Sequence, residues 1–154
     1  MENGNVYKSP EADLTEKKFN SSVLENFKRF TTWGVIGLSL VTYGIYPIYW
    51  LYTRSKVLNE SIENKMSNGL LASFIVICVG SLLFGLVALF VTNDIVAIVN
   101  GVLSIGYLIF YLMVLFKFRS RFSAATSVKL SGIITFLLSV IYLQYKINQA
   151  IDRE

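Results

Sequence analysis

Histidine is absent from this 154-residue chain, cysteine occurs once, proline twice, and only 16% of the residues are charged. Each shortage closes off a class of function. With no histidine and the lone Cys78, zinc sites of the usual His/Cys kind, a histidine general base and a cysteine–histidine pair are excluded. One cysteine makes no internal disulfide, so Cys78 reads as a small apolar packing residue. The shortage of charge is also positional. No charged residue occurs over residues 30–53, 66–93, 95–116 or 130–145. Ion-coupled transport ordinarily needs an ionisable group at membrane depth, and these runs hold none. Nine of the ten glycines punctuate the apolar runs, and none forms a phosphate-binding loop.

What is present is apolar: 54% hydrophobic residues, with a mean hydropathy of +0.55. A bilayer core of about 30 Å takes roughly 20 apolar residues as helix. The expected architecture is therefore an all-α integral membrane protein with four apolar segments, 30–53, 69–92, 95–116 and 130–145, in a membrane domain over 30–150. The second and third are joined only by Thr92-Asn93-Asp94, which predicts a tight central hairpin. Ser81/Gly85 and Ala97/Gly101 are small-xxx-small pairs at similar depth, suited to close helix packing, with Asn100 and Ser104 placed to hydrogen-bond across that contact. The fourth segment is short for a span.

The first segment carries the most distinctive residues. From Thr42 to Tyr52 tyrosine recurs at every third position, as Tyr43, Tyr46, Tyr49 and Tyr52, around Gly44, Pro47 and Trp50. Gly44 and Pro47 predict a break or bend, and rings clustered just ahead of Arg54 and Lys56 fit a headgroup boundary. If all four segments spanned, Lys and Arg would divide seven to each side; if the first is re-entrant, twelve fall on one side and two on the other. Cytoplasmic loops are Lys/Arg-rich, so the re-entrant arrangement fits better, with the N-terminus cytoplasmic. Residues 1–29 read as a polar cytoplasmic tail without a cleavable signal. Phe19, Val23, Phe27 and Phe30 follow helical spacing, which suits either an interfacial helix or a linker.

Beyond the third segment, Phe116-Lys117-Phe118-Arg119-Ser120-Arg121-Phe122 alternates cations with rings. Lys117, Arg119 and Arg121, like Arg54 and Lys56, are expected to face lipid headgroups, with no nucleic acid involved. Shifted by 93 residues, the fourth segment echoes the first: Thr135 falls on Thr42, Tyr142 on Tyr49 and Tyr145 on Tyr52, while Ile147-Asn148 answers Leu58-Asn59 about one turn sooner. The aromatic positions Tyr43, Gly44, Tyr46, Pro47, Tyr49, Trp50, Tyr52, Tyr142 and Tyr145 are candidates for lipid or partner contact, or for an anchoring aromatic belt. Glu60 and Glu63 read as a solvated face, with a possible Lys56–Glu60 pair, rather than as acid–base groups.

Thr42, Gly44-Ile45-Tyr46, Ile48-Tyr49-Trp50, Tyr52 and Leu58-Asn59, with Tyr142-Leu143-Gln144-Tyr145-Lys146-Ile147-Asn148 near the end, resemble an uncharacterised bacterial membrane family, domain of unknown function 4234. The resemblance covers roughly residues 28–150. It implies a bacterial inner membrane and no assigned activity; no cofactor is expected from the residues present. Asn5-Val6-Tyr7-Lys8-Ser9-Pro10-Glu11-Ala12-Asp13-Leu14 is similar to a leader that precedes many small proteobacterial membrane proteins, which would make the tail a linear motif for a cytoplasmic partner. The function expected is a non-enzymatic accessory or interaction subunit of a membrane complex, or a homo-oligomer. The alternative is a carrier or scaffold for lipid or a small neutral solute, with a groove lined by Tyr46, Tyr49, Trp50 and Tyr142.

Overall fold

The structure, a computed structural model, describes residues 22–91 and 93–153 and is all-helical over them. A helical turn at 22–25 precedes five helices: α1 Thr32–Val41, α2 Ile45–Ser61, α3 Asn68–Ala88, α4 Asp94–Thr126 and α5 Gly132–Ile151. The leader-like stretch, Phe19 and Thr92 lie outside the described residues.

The first apolar run does not continue as one helix. It breaks at Thr42-Tyr43-Gly44, where Tyr43 and Gly44 take φ values of 48° and 85°. The Gly44 N–H reaches back to the Ser39 carbonyl at 2.8 Å, closing α1. Thr42 serves both helices: its hydroxyl donates to the Leu38 carbonyl at 2.6 Å and accepts the Tyr46 N–H at 2.9 Å. Pro47 falls inside the first turn of α2, where a helix N–H has no partner to lose, so it does not itself make the break. Ahead of α1, the Lys28 carbonyl accepts from Arg54 Nη2 at 2.9 Å, and the Phe30 ring lies 6.3 Å from that of Tyr46. α1 and α2 therefore run side by side in opposite directions. With ten residues, α1 is about 15 Å long, half a bilayer core.

The central hairpin is α3 against α4. Asn93 caps α4 by accepting the Val96 N–H at 2.8 Å. α4 does not stop at Phe116 but runs for 33 residues to Thr126, so the alternating cations and rings over 116–122 lie on the same helix. The reason is burial: Phe118 and Phe122, one turn apart, both point into the core. α3 and α4 are each long and apolar enough to cross a membrane, and the chain itself buries 17% of the most apolar stretch of α3 and none of that of α4. That separates them from the core helices of a soluble domain.

α5 is two helical pieces, 132–138 and 140–151, meeting at Ser139, whose φ of 50° and ψ of −131° are far from helical. The Ser131 N–H donates to the Tyr142 hydroxyl at 3.0 Å. In a straight helix eleven residues span about 16 Å, beyond the reach of a tyrosine side chain, so α5 folds back on itself. The first and fourth apolar segments are thus both short bent elements.

The core lies at one end. Trp50, Leu51 and Leu58 of α2, Phe74 of α3, Phe118 and Phe122 of α4, and Leu143 and Ile147 of α5 are buried there. Phe27 packs edge-on to Phe122 at 5.4 Å and Trp50 edge-on to Phe118 at 5.7 Å. Val23, Leu24 and Phe27 are buried in this core, so the described part of the segment read as an interfacial helix or a linker packs against protein. The far half of the α3–α4 hairpin is bare, exposing among others Val79, Leu83, Leu86, Ile98, Val102 and Ile105.

The turn between α1 and α2 gives a clean test, because a Cβ at Gly44 meets no atom within 4 Å. Gly44→Ala should destabilise the detergent-solubilised protein by about 1–2 kcal/mol through backbone strain alone. Gly37→Ala, equally unobstructed but inside α1, should be neutral or stabilising by up to about 1 kcal/mol. Thermal unfolding of the two variants reads the difference.

Candidate functional site

The two aromatic motifs meet in a buried chain of hydrogen bonds. The Trp50 indole N–H donates to Gln144 Oε1 at 2.8 Å, and Gln144 Nε2 donates to Asn148 Oδ1 at 2.8 Å. Asn148 Nδ2 in turn donates to the Phe30 carbonyl at 2.7 Å, and the Phe30 N–H approaches Asn148 Oδ1 at 3.4 Å. Gln144 is wholly buried and Trp50 nearly so, which makes each bond expensive to break. A second asparagine repeats the device. Asn59 Nδ2 donates to the Met66 carbonyl at 2.9 Å, and the Met66 N–H donates to Asn59 Oδ1 at 2.7 Å.

Phe30 and Met66 occupy equivalent places. Each precedes a Ser or Thr N-cap, Thr31 for α1 and Ser67 for α3, with φ/ψ of −64°/132° and −57°/132°. Leu130, before the α5 N-cap Ser131 at −71°/130°, completes the set. Its carbonyl accepts from Arg119 Nε at 3.1 Å and from Arg119 Nη2. So α1, α3 and α5 each begin with an apolar residue followed by Ser or Thr, and a side chain from elsewhere in the fold holds the apolar residue's backbone. Leu58-Asn59 and Ile147-Asn148, singled out as the ends of two echoing stretches, do the same work. The recurrence of Phe30-Thr31, Met66-Ser67 and Leu130-Ser131 is a sequence signal that the apolar-run reading passes over.

The nine aromatic-motif positions separate into two sets. Trp50 and Tyr142 are buried, and Tyr46, Pro47 and Tyr52 are half-buried. Tyr43 at the turn is 96% exposed, and Gly44, Tyr49 and Tyr145 are exposed too. Tyr46 and Tyr49 keep company, with ring centroids 6.1 Å apart. Tyr46, Tyr49 and Trp50 line one cavity even though the Trp50 N–H is given to Gln144, whereas Tyr142, bonded to the Ser131 N–H, is not among its lining.

The basic residues hold the fold as well as its surface. Arg54 lies 5.8 Å over the Phe27 ring besides bonding Lys28; burial draws its pKa down, while Tyr46 and Tyr49 nearby act to raise it. Arg121 donates through Nε to the Asn64 carbonyl at 2.7 Å. Lys56 lies 5.4 Å over the Tyr52 ring and makes no ion pair with Glu60 among the described residues, while Lys117 is exposed. Glu60 and Glu63 are exposed.

At the hairpin, Ser81 Oγ donates across to the Leu103 carbonyl at 3.1 Å, and Gly85 faces Asn100. Gly101 does not face α3, since a Cβ there would meet nothing within 4 Å, while Ala97 is exposed at a cavity that Ala88 of α3 also lines. Ser104 bonds the Asn100 carbonyl of its own helix at 2.8 Å, not the facing one.

These features define a class, an all-helical protein with two helices fit to cross a membrane and two short bent elements packed at one end. The family described as Domain of unknown function (DUF4234) matches residues 30–153, and the chain belongs to that family. No curated protein and no solved structure matches the chain.

The two asparagine clamps are expected to matter equally. Asn59→Ala and Asn148→Ala each leave a backbone N–H and C=O without their partners and should cost about 1–3 kcal/mol in detergent unfolding. Tyr145→Ala, at an exposed position, should cost under about 1 kcal/mol.

Proposed function

We propose that this chain is a small multi-pass protein of a bacterial cytoplasmic membrane, non-enzymatic, that works by contact with another membrane helix. In this reading α3 and α4 cross the bilayer. The α1–α2 hairpin and the bent α5 enter from the cytoplasmic side and return. Two facts support that placement. With both elements returning, all fourteen Lys and Arg fall on the cytoplasmic side, and α1 at ten residues covers only half a bilayer core. Backbone that turns inside lipid must be satisfied by protein, and Thr42 supplies such a partner to both helices at the first turn.

The observation that carries the interaction role is the outward face of α4. Ala97, Gly101 and Ser104 share one side of the helix at three- and four-residue spacing, and all three are exposed. Small residues on a lipid-facing helix allow a second backbone to approach closely, which is how membrane helices associate without a hydrophobic driving force. The contacting helix belongs to a larger complex or to a second copy of the chain.

Native mass spectrometry of the protein released in patches of its own membrane tests this. A second polypeptide in fixed ratio, or a defined homo-oligomer, is expected. Gly101→Leu should abolish that species without lowering the thermal transition, since a Cβ at Gly101 meets no atom of this chain within 4 Å. A strictly monomeric wild type, or the same stoichiometry in Gly101→Leu, contradicts the proposal.

A further inference from the structure

Between the segment that precedes α1 and the side of α2 lies a cavity of about 320 Å³, at the low end of ordinary ligand pockets. Its polar lining is Lys28, Arg29, Tyr46, Tyr49, Thr53 and Arg54; three of these are cations, and no carboxylate lines it. Arg29 is engaged with Asp152 at 3.1 Å on the surface. Arg54 spends one amino group on the Lys28 carbonyl, and its other two guanidinium nitrogens have no partner among the described residues. The Tyr46 and Tyr49 hydroxyls likewise bond to nothing among the described residues, and Thr53 is turned to the Tyr49 and Trp50 carbonyls. A planar guanidinium with free donors, a lysine and two phenol O–H groups around one cavity present positive charge and hydrogen-bond donors with no carboxylate to compete. That combination suits a tetrahedral oxyanion.

We propose that this cavity binds a phosphate ester, with Arg54 as the principal contact, Lys28 as its electrostatic support and the Tyr46 and Tyr49 hydroxyls as further donors. The phosphate comes either from an anionic lipid headgroup or from a soluble phosphate ester. Phe30, Trp50 and Val57 supply the apolar part of the lining. The lipid source rests on the membrane placement proposed above; the phosphate chemistry does not.

The test is ligand-dependent thermal stabilisation of the full chain in neutral detergent, titrated separately with phosphatidylglycerol and with soluble glycerol phosphate. Saturable stabilisation by at least one is expected. Stabilisation by the lipid alone identifies a headgroup site, and stabilisation by both identifies phosphate as sufficient. Arg54→Gln should weaken binding about tenfold or more, as loss of a charge-assisted contact does. Because Arg54 also supports Lys28 and Phe27, the Tyr46→Phe/Tyr49→Phe double variant provides an independent reading. It keeps both rings and should bind several-fold more weakly with an unchanged ligand-free transition. Lys65→Gln, an exposed cation elsewhere, should bind as wild type. Stabilisation by neither ligand, or wild-type affinity in both Arg54→Gln and the double variant, overturns the site. Since the assay needs no bilayer, its failure is separate from any failure of the topology or of the partner contact.

Discussion

The indole N–H of Trp50, donated to a glutamine with no exposed surface, is the contact on which the rest of the arrangement depends. It joins the first hairpin to the second half of α5 and passes through Asn148 to the backbone of Phe30, where α1 begins. An unsatisfied polar group in this interior would cost several times what the bond contributes net, so the chain of bonds acts as a unit. Around it the aromatic core closes: Trp50 on Phe118, Phe118 stacked on Phe122 at 5.8 Å, and Phe27 against both. The polar chain fixes which faces meet, and the rings supply the buried area.

The same economy recurs at each helix start. α1, α3 and α5 all begin at the end of the molecule where the core lies, with an apolar residue held by Asn148, Asn59 or Arg119. A helix leaves its first N–H groups and the preceding backbone unpaired, and these three clamps satisfy part of that need from outside the helix. α1 and the first piece of α5 then stop after ten and seven residues, at positive-φ turns, while α3 continues for 21. Three similar beginnings thus lead to two short excursions and one long one. The protein is densely packed at one end and reduced to two helices at the other.

Much of this could be read from the chain. The charge-free runs located every apolar helix, Asn93 marked the hairpin turn, and Gly44 marked the break in the first run. Asn59 and Asn148 were visible as the ends of an echo, although their role was not. Three features stayed hidden for physical reasons. The extension of α4 through the cations depends on Phe118 and Phe122 finding a core made by other segments, which no local pattern encodes. The bend at Ser139 has neither glycine nor proline to announce it, and it is held by tertiary contacts such as Tyr142 to Ser131. The outward turn of Gly101 depends on the rotation of α4 against α3, which small-residue spacing alone leaves undetermined.

The most direct measurement of the central claim is a double-mutant cycle on Trp50→Phe and Gln144→Leu, followed by unfolding in detergent. If the buried bond joins the two motifs, each single variant strands one polar partner, and the double variant is less damaged than the sum predicts. A coupling of about 1 kcal/mol or more is the expected result. Strict additivity, within about 0.3 kcal/mol, would mean that the two side chains act independently and that packing alone holds the motifs together.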